Sequence, residues 1–156
     1  KWFEQSAGQG YAQAQHNIGN MYLSGTGVEQ NYRIAVKWFT LAANQGVGRS
    51  QYNLGYLYED GYGVQKDLNA AYKWYLKSAS NQIGAGMTAL GIMYATGETV
   101  RQSYVRSYMW GELGSRNGSQ NGSAVRDMSS PFLSSSEVEE ARKLAQECVA
   151  KNYKGC

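Results

Sequence analysis

The sequence contains a single proline, Pro131, and a single histidine, His16, in 156 residues. A disordered or linker-rich chain with 19 glycines would normally carry more proline, so the glycines are expected to mark ordered turns. One histidine and two cysteines near the end of the chain do not supply a Ser-His-Asp or Cys-His catalytic arrangement. We therefore expect no enzyme, with no catalytic residues, no metal site and no cofactor.

The sequence also lacks runs of one charge and long apolar runs. The net charge is +3, and the basic residues are scattered, which gives little support to a nucleic-acid partner. No apolar stretch approaches the roughly 18 residues of a membrane span. The adjacent carboxylates of Glu59-Asp60 and Glu139-Glu140 would point about 100° apart on a helix, so they do not form an acid–base pair unaided. We expect no nucleic-acid partner and no membrane span in this segment.

What the sequence does have is a repeat of 36 residues. All four tryptophans lie on this spacing, and several other residue types keep the same register. The recurring positions are Trp2, Trp38, Trp74 and Trp110; Gly19, Gly55 and Gly91; Tyr22, Tyr58 and Tyr94; Gly25, Gly61 and Gly97; and Val28, Val64 and Val100. Such regularity predicts a protein built from one repeated supersecondary unit.

Each repeat is predicted to contain two helices joined by glycine turns. Residues 14–24 place apolar side chains on one face and His16 with its polar neighbours on the other. His16 has no Cys, Asp or Glu in register, so we expect an exposed side chain. Gly25 suits the left-handed residue that ends a helix, and Gly19 suggests that another backbone approaches closely.

The second helix of each unit is predicted to begin after a capping residue. Asn31, Asp67 and Ser103 occupy the same position of the repeat, and all three can accept a hydrogen bond from the first turn. An apolar stripe then follows, for which we expect the tryptophans to lie in the core. The stripe in the first unit comprises Ala35, Trp38, Phe39 and Ala42, and Gly46 ends the helix.

The glycine pair at Gly25 and Gly27 could instead suggest a phosphate-binding loop. Such a loop needs a preceding strand and either a third glycine or a Gly-Lys-Ser/Thr sequence. This pair follows a helix, lacks both extensions and recurs in register, so we interpret it as a turn between antiparallel helices.

The last unit departs from the repeat. We expect a helix near 119–128 stopped by Pro131, and a final helix near 136–152 that covers the end of the array. Ser134 with Glu137, and Ser136 with Glu139, both fit a capping box. At the other end, Lys1 aligns with positions inside the second helix of a repeat, so we expect further sequence upstream.

The repeat resembles the Sel-1-like repeat family, a relative of the tetratricopeptide repeats. The resemblance implies an all-α, right-handed solenoid of helix-turn-helix units that binds other proteins. It divides the chain into 1–11 (second helix of a truncated repeat), repeats 12–47, 48–83 and 84–118, and a capping unit 119–156. The third unit has Thr99 where glycine is expected, so its turn is expected to differ. The matching residues include Ile18-Gly19, Leu54-Gly55, Leu90-Gly91, Gly27-Val28, Gly63-Val64, Trp38-Phe39, Trp74-Tyr75 and Ala42-Ala43.

Solenoids of this kind expose the first helix of each unit on a concave surface, where we expect a protein or peptide partner. Tyrosine and arginine suit partner recognition, and asparagine can bond a peptide backbone. Tyr52 and Tyr56 could alternatively pack between units. The predicted contact residues are His16, Asn17, Asn20, Arg49, Tyr52, Asn53, Tyr56, Asp60, Thr88 and Ile92.

Two other functions remain open at this point. One is a module that binds glycan or peptidoglycan fragments of the cell envelope, for which tyrosine and asparagine would also be suitable contacts. The other is a hydrolase of a cell-wall compound, and the missing catalytic residues count against it. We expect the protein to be a monomer.

Cys148 and Cys156 would lie ~12 Å apart on one continuous helix, too far for a disulfide. Gly155 would let the tail fold back, so either a disulfide or a buried Cys148 with a free Cys156 is compatible with the sequence, and we favour the disulfide. The same eight-residue spacing of disulfide cysteines occurs in cysteine-rich members of the family. A disulfide would indicate an oxidising compartment, so we expect a periplasmic or secreted bacterial protein.

Overall fold

A computed structural model describes residues 11–156, and every regular element in this range is helical. Trp2 and the helix expected before the first full repeat lie outside the described residues. The elements are α1 (Ala12–Ser24), α2 (Tyr32–Asn44), α3 (Gly48–Asp60), α4 (Leu68–Ser80), α5 (Gly84–Thr96), α6 (Tyr104–Arg116), α7 (Gly122–Ser129), a 3-10 turn (Ser130–Phe132) and α8 (Ser135–Ala150). The first six helices have 13 residues each and follow one another as helix-turn-helix pairs. The predicted all-α repeat fold is confirmed.

The described residues divide into two compact units. The first ends at Trp74, and the second begins at Tyr75. The core of the first unit lies between α2 and α3 and is built around Phe39, with Leu54 and Leu57 of α3 fully buried beside it. Half-buried side chains pack around this cluster, and Trp74 is one of them. The expectation that the tryptophans lie in the core is confirmed for Trp74, which packs against the core, and for Trp110 in the second unit, which is 2% exposed. Trp38 is only half-buried.

Gly19 allows α1 to lie against α2. A Cβ atom at this position would stand 2.6 Å from Cδ1 of Phe39, so the glycine leaves room for an aromatic ring. The expectation of a close backbone approach at Gly19 is wrong in this respect, because its nearest neighbour is a side chain. The glycine's cost to helix propensity is offset by the packing of Phe39, which is fully buried.

The turns within the repeats follow the prediction. Gly25, Gly61 and Gly97 have φ values of 73°, 76° and 73°, and each donates its N–H to the carbonyl four residues earlier. These glycines therefore end α1, α3 and α5 as left-handed caps. The third turn differs as expected, because Gly27 and Gly63 adopt positive φ and Thr99 does not.

The second helices begin at the predicted caps. Asn31 Oδ1 accepts a hydrogen bond from the Ile34 N–H at 3.1 Å, and Asp67 Oδ1 accepts one from Ala70 at 2.9 Å. Ser103 Oγ accepts one from the N–H of Arg106 at 3.2 Å. Three different side chains thus satisfy the same free donor in each first turn.

The second unit ends with α7 and α8, which begin and end a few residues from their predicted positions. Ser134 caps α8, and the carboxylate of Glu137 accepts a hydrogen bond from the Ser134 N–H at 2.8 Å, so this capping box is confirmed. Ser136 already lies inside the helix, so the alternative box with Glu139 is wrong. Apolar side chains of α8, among them Ala141 and Ala145, are fully buried, as expected for a terminal helix that covers a core.

A group of ion pairs connects α6 to α7 in the second unit. Glu112 accepts hydrogen bonds from Arg116 at 2.9 Å and Arg126 at 3.0 Å. Burial would raise the pKa of Glu112, but the hydrogen bonds from the two guanidinium groups outweigh it and lower that pKa. The Glu112 carboxylate is thus held charged between the two helices.

The tail after α8 folds back on it. Cys148 and Cys156 form a disulfide, with their Cα atoms 5.3 Å apart. The chain reverses direction through Asn152, Tyr153 and Gly155, which all have positive φ. The Tyr153 N–H donates a hydrogen bond to the Cys148 carbonyl at 2.9 Å. The tail thereby closes over the last turn of α8.

Replacing Gly63 by alanine should destabilise the protein more than the same change at Gly27, its equivalent in the previous repeat. Both glycines have similar positive φ, so both variants carry the same backbone penalty of about 1–2 kcal/mol. A Cβ at position 63 would also stand 2.5 Å from the Tyr32 carbonyl carbon, whereas at position 27 the nearest atom is 3.7 Å away. We expect Gly63→Ala to cost at least about 2 kcal/mol more in denaturant unfolding. Equal losses in the two variants would contradict this packing argument.

Removing the disulfide should destabilise the tail and α8. A Cys148→Ala, Cys156→Ala variant is expected to lose about 2 kcal/mol, because a short covalent loop no longer restricts the unfolded chain. Thermal unfolding of the wild type should shift downwards on addition of a thiol reductant, and unfolding of the double variant should not. A wild type whose unfolding is insensitive to full reduction would show that the bond adds no stability.

Candidate functional site

The predicted face of the first unit centres on one side of α3. Arg49, Asn53, Tyr56 and Asp60 follow one another at intervals of three or four residues, which places them in a line along the helix. We call these four residues the α3 stripe. Arg49, Tyr56 and Asp60 are exposed, and Asn53 is half-buried. The stripe is ~16 Å long, because its ends are separated by three helical turns.

Two tyrosines outside the predicted set extend the stripe at its Asp60 end. The ring of Tyr56 lies 6.0 Å from that of Tyr62, and Tyr62 stacks on Tyr32 with ring centroids 5.0 Å apart. Tyr56 and Tyr62 are 39% and 40% exposed. We call Tyr32, Tyr56 and Tyr62 the tyrosine cluster, and it presents aromatic surface to solvent where α3 ends.

The carboxylate of Asp60 interacts with this cluster through Tyr56. Asp60 lies one helical turn after Tyr56, which places its carboxylate near the Tyr56 phenol. Loss of contact with water and the neighbouring Asp60 carboxylate both raise the pKa of the Tyr56 phenol. The phenol therefore remains protonated, and the carboxylate lies near the exposed Tyr56 ring.

His16 is buried, and the prediction of an exposed side chain is wrong. Only 6% of the residue is exposed, and its ring lies 5.8 Å from that of Phe39. Its Nδ1 atom lies 2.8 Å from Ser50 Oγ on α3, and its Nε2 atom lies 2.9 Å from Asn20 Nδ2. The polar side of α1 faces α3 at this point, so a polar position is buried and satisfied by hydrogen bonds.

These contacts continue to the surface through two asparagines. Asn20 donates through Nδ2 to His16 and accepts through Oδ1 from Asn53 Nδ2 at 3.1 Å. Because Asn20 donates to Nε2, the proton of a neutral His16 lies on Nδ1 and is donated to Ser50. The chain Ser50–His16–Asn20–Asn53, which we call the polar chain, links the interior to the α3 stripe.

The electrostatics of the polar chain favour an uncharged imidazole. Burial is the main cause that lowers the pKa of His16, and the positive charge of Arg49 lowers it further. At neutral pH the group is therefore a hydrogen-bonding side chain of the interface between α1 and α3.

The remaining predicted contacts divide between exposed and buried positions. Asn17 is exposed, and Tyr52 is half-buried, with a phenol pKa raised by burial and by Glu59. In the second unit Ile92 is 43% exposed. Thr88 is only 6% exposed, and its hydroxyl group bonds Gly84 O at 3.0 Å and Ser119 Oγ at 2.8 Å. The expectation that Thr88 points outward is wrong, because that hydroxyl group connects α5 to the segment before α7.

Tyr32, Tyr62 and Ser50 were missed in the sequence. Tyr62 stands between the two glycines of its turn, where the other repeats have Thr26 and Glu98. An aromatic residue at a position that varies between repeats is the signal that could have identified it. Ser50 carried no comparable signal, since its role depends on the burial of His16.

No helix in residues 11–156 is long and apolar enough to cross a membrane. Within the same range, no group of three or more His, Cys, Asp and Glu side chains is placed to hold a metal ion.

The stability of the protein should depend on pH through His16. Its folded pKa is lowered, so its stabilising contribution is present above the unfolded pKa of about 6.5 and is lost as pH falls through and below that value. The difference in melting temperature between pH 7.5 and pH 5 should therefore be smaller in His16→Gln than in the wild type. Arg49→Gln should reduce it in part, because one cause of the lowered pKa is removed. An unchanged pH dependence in His16→Gln would contradict the assignment.

The sequence model of the Sel1 repeat family matches residues 12–47, 48–82 and 84–119, which is more than half of the chain. No curated protein matches the sequence.

Three solved structures of similar fold are those of bacterial proteins. A Sel1 repeat protein from Oxalobacter formigenes is 32% identical over 77% of this chain, with a TM-score of 0.71. The protein c5321, described as a protective antigen present in uropathogenic Escherichia coli strains, is 25% identical over 97% of this chain, with a TM-score of 0.73. Cysteine-rich protein B of Helicobacter pylori is 26% identical over 78% of this chain, with a TM-score of 0.62.

The lengths of these proteins differ. The chain spans 49% of the Oxalobacter structure and 41% of c5321, but 92% of the Helicobacter protein. Three matched repeats, their helix-turn-helix pairs and the left-handed glycine caps agree with one another, and the chain belongs to the Sel1 repeat family.

Proposed function

We propose that this chain is a non-catalytic scaffold that binds an extended segment of another protein along the α3 stripe and the tyrosine cluster. Sel1 repeats generally serve as protein-interaction scaffolds, and catalysis is not their usual role. The observation that carries the proposal is the exposed line of Arg49, Tyr56 and Asp60 along α3. The opposite side of this helix is buried in the core through Leu54 and Leu57.

The composition of this face supports recognition of a protein. Arginine and tyrosine are the residue types that contribute most often to binding energy at protein interfaces. The helix holds these side chains on a fixed backbone, so little conformational entropy is lost when a partner binds. Asn53 and Asn20 lie beside them at the surface end of the polar chain, and an amide side chain can both donate to and accept from a peptide backbone.

Binding of a cell-envelope glycan is the second candidate, and the tyrosine cluster is the observation that favours it. Two tyrosines, each about 40% exposed, offer ring faces on which a sugar could stack. A flat aromatic surface suits a sugar, but the charged ends of the α3 stripe are better matched by a peptide. We therefore place the glycan second.

The compartment and the oligomeric state are also part of the proposal. The Cys148–Cys156 disulfide is of the kind that persists in oxidising surroundings, which supports a periplasmic or secreted location. We propose that the chain acts as a monomer that binds a different protein, with the partner held on the first unit.

An Arg49→Ala, Tyr56→Ala double variant should lose its partner. Cross-linking capture from the native cell would identify the bound protein, and overlapping peptides of that protein would then define the bound segment. We expect the affinity of the segment for the variant to be at least about tenfold weaker, since two exposed anchors are removed. Lys37→Ala, Leu41→Ala is the matched control, because both changes remove exposed side chains of α2 away from the stripe.

Two outcomes would contradict the proposal. Equal binding by the double variant and the wild type, with both folded by circular dichroism, would show that α3 is not the site. Competition by soluble peptidoglycan fragments, with no competition by any peptide of the captured protein, would favour the glycan.

A further inference from the structure

The charges of α3 are placed against the electrostatic preference of a helix. Arg49 lies in the first turn of the helix and Asp60 is its last residue, while no acidic residue lies in the first turn and no basic residue in the last. The partial charge of a helix is positive at its N-terminus and negative at its C-terminus, so both side chains are destabilising where they stand. The N-cap residue Val47 offers no side-chain hydrogen bond that would offset this.

The fold does not require these charges. The positions equivalent to Arg49 in the other two repeats are Gln13 and Ala85, and those equivalent to Asp60 are Ser24 and Thr96. α1 and α5 therefore form with the same length and the same glycine cap but with uncharged residues at both ends of the line. Two unfavourable charges that only the middle repeat carries need an explanation outside folding.

Neither charge is neutralised within the described protein. Among residues 11–156, no ion pair includes Arg49 or Asp60. The Tyr56 phenol next to Asp60 is uncharged and does not offset the negative charge of Asp60. Both residues are exposed, so the α3 stripe presents a positive end and a negative end ~16 Å apart.

An extended peptide has the length to meet both ends. At roughly 3.3 Å per residue, 16 Å corresponds to about five residues of extended chain. Alternate side chains of an extended strand point to the same side, so spacings of about four or six residues would direct two side chains to the helix together. Long charged side chains can cover the remaining difference.

The tyrosine cluster adds a preference at the Asp60 end. The face of an aromatic ring attracts a cation, and the attraction is stronger when a carboxylate lies next to the ring. Tyr56 and Tyr62 present such faces beside Asp60. A lysine or arginine side chain would satisfy both groups at once, whereas a neutral sugar or an uncharged aromatic side chain would leave Asp60 unpaired.

We propose that the partner of the α3 stripe is an extended protein segment with an acidic and a basic side chain about four or six residues apart. The acidic side chain pairs with Arg49, and the basic one docks on Tyr56 and Tyr62 beside Asp60. This inference rests on the proposed function and adds to it the charge pattern of the segment.

Selection from a library of random 12-residue peptides tests the pattern. The wild type should enrich peptides in which an acidic and a basic residue lie about four or six positions apart in the sequence. Arg49→Gln should keep the preference for the base and lose that for the acid, and Asp60→Asn should do the reverse. Lys37→Gln, which removes an exposed charge from α2, should select the same peptides as the wild type.

One enriched peptide then gives a quantitative check. Changing its acidic residue to the amide should weaken binding to the wild type at least about tenfold but leave binding to Arg49→Gln unchanged. Changing its basic residue to glutamine should behave in the same way toward Asp60→Asn. Both protein variants remove a charge that the helix disfavours, so they should melt at the wild-type temperature or above it, which separates loss of binding from loss of folding.

Three results would overturn the inference. Enriched peptides without charge, whose binding is lost in Tyr56→Ala, would reject the charge pattern and leave the proposed function standing. A charge pattern that persists in both Arg49→Gln and Asp60→Asn would place recognition elsewhere. No enriched peptide, together with binding of peptidoglycan fragments that is lost in Tyr56→Ala, would reject the proposed function as well.

Discussion

The first unit depends on the packing of one ring, that of Phe39. It fills the space left by Gly19 on α1, touches His16 on the same helix, and shares the core with Leu54 and Leu57 of α3. Three helices are therefore positioned by contact with one side chain. The α3 stripe faces outward because the other side of α3 is committed to this core, so the geometry of the exposed face is a consequence of the buried one.

The polar chain shows how a buried hydrogen-bonded group can set the register of two helices. His16 reaches from α1 to Ser50 on α3, and the asparagines continue that link to the surface. A neutral imidazole with a donor on one side and an acceptor on the other restricts the two helices more than an apolar contact would, because each hydrogen bond requires its own distance and direction. The positions of the side chains in the α3 stripe therefore depend in part on these hydrogen bonds between α1 and α3.

Repetition explains what the sequence could predict and what it could not. The turns at Gly25, Gly61 and Gly97 and the caps at Asn31, Asp67 and Ser103 are local features, fixed by backbone conformation and by one hydrogen bond each, so they were predicted. Amphipathicity failed at His16 and Thr88, since a polar residue may equally face solvent or a hydrogen-bonding neighbour, and the sequence of one helix does not contain its neighbour. Tyr62 was missed because attention to recurring positions hides a residue that occurs once.

The same repetition separates the needs of the fold from those of binding. Where three repeats share a residue or its chemistry, as at the glycine caps, the shared feature is what the helix pair requires. Where they differ at an exposed position, the fold has tolerated each alternative, and the choice in any one repeat is open to another use. Arg49, Tyr56, Asp60 and Tyr62 all belong to this second class, and they lie together along one helix and its turn. Variation spread by chance would scatter charged and aromatic residues over the three repeats, and their concentration in the middle one supports the proposal that a partner is recognised at α3.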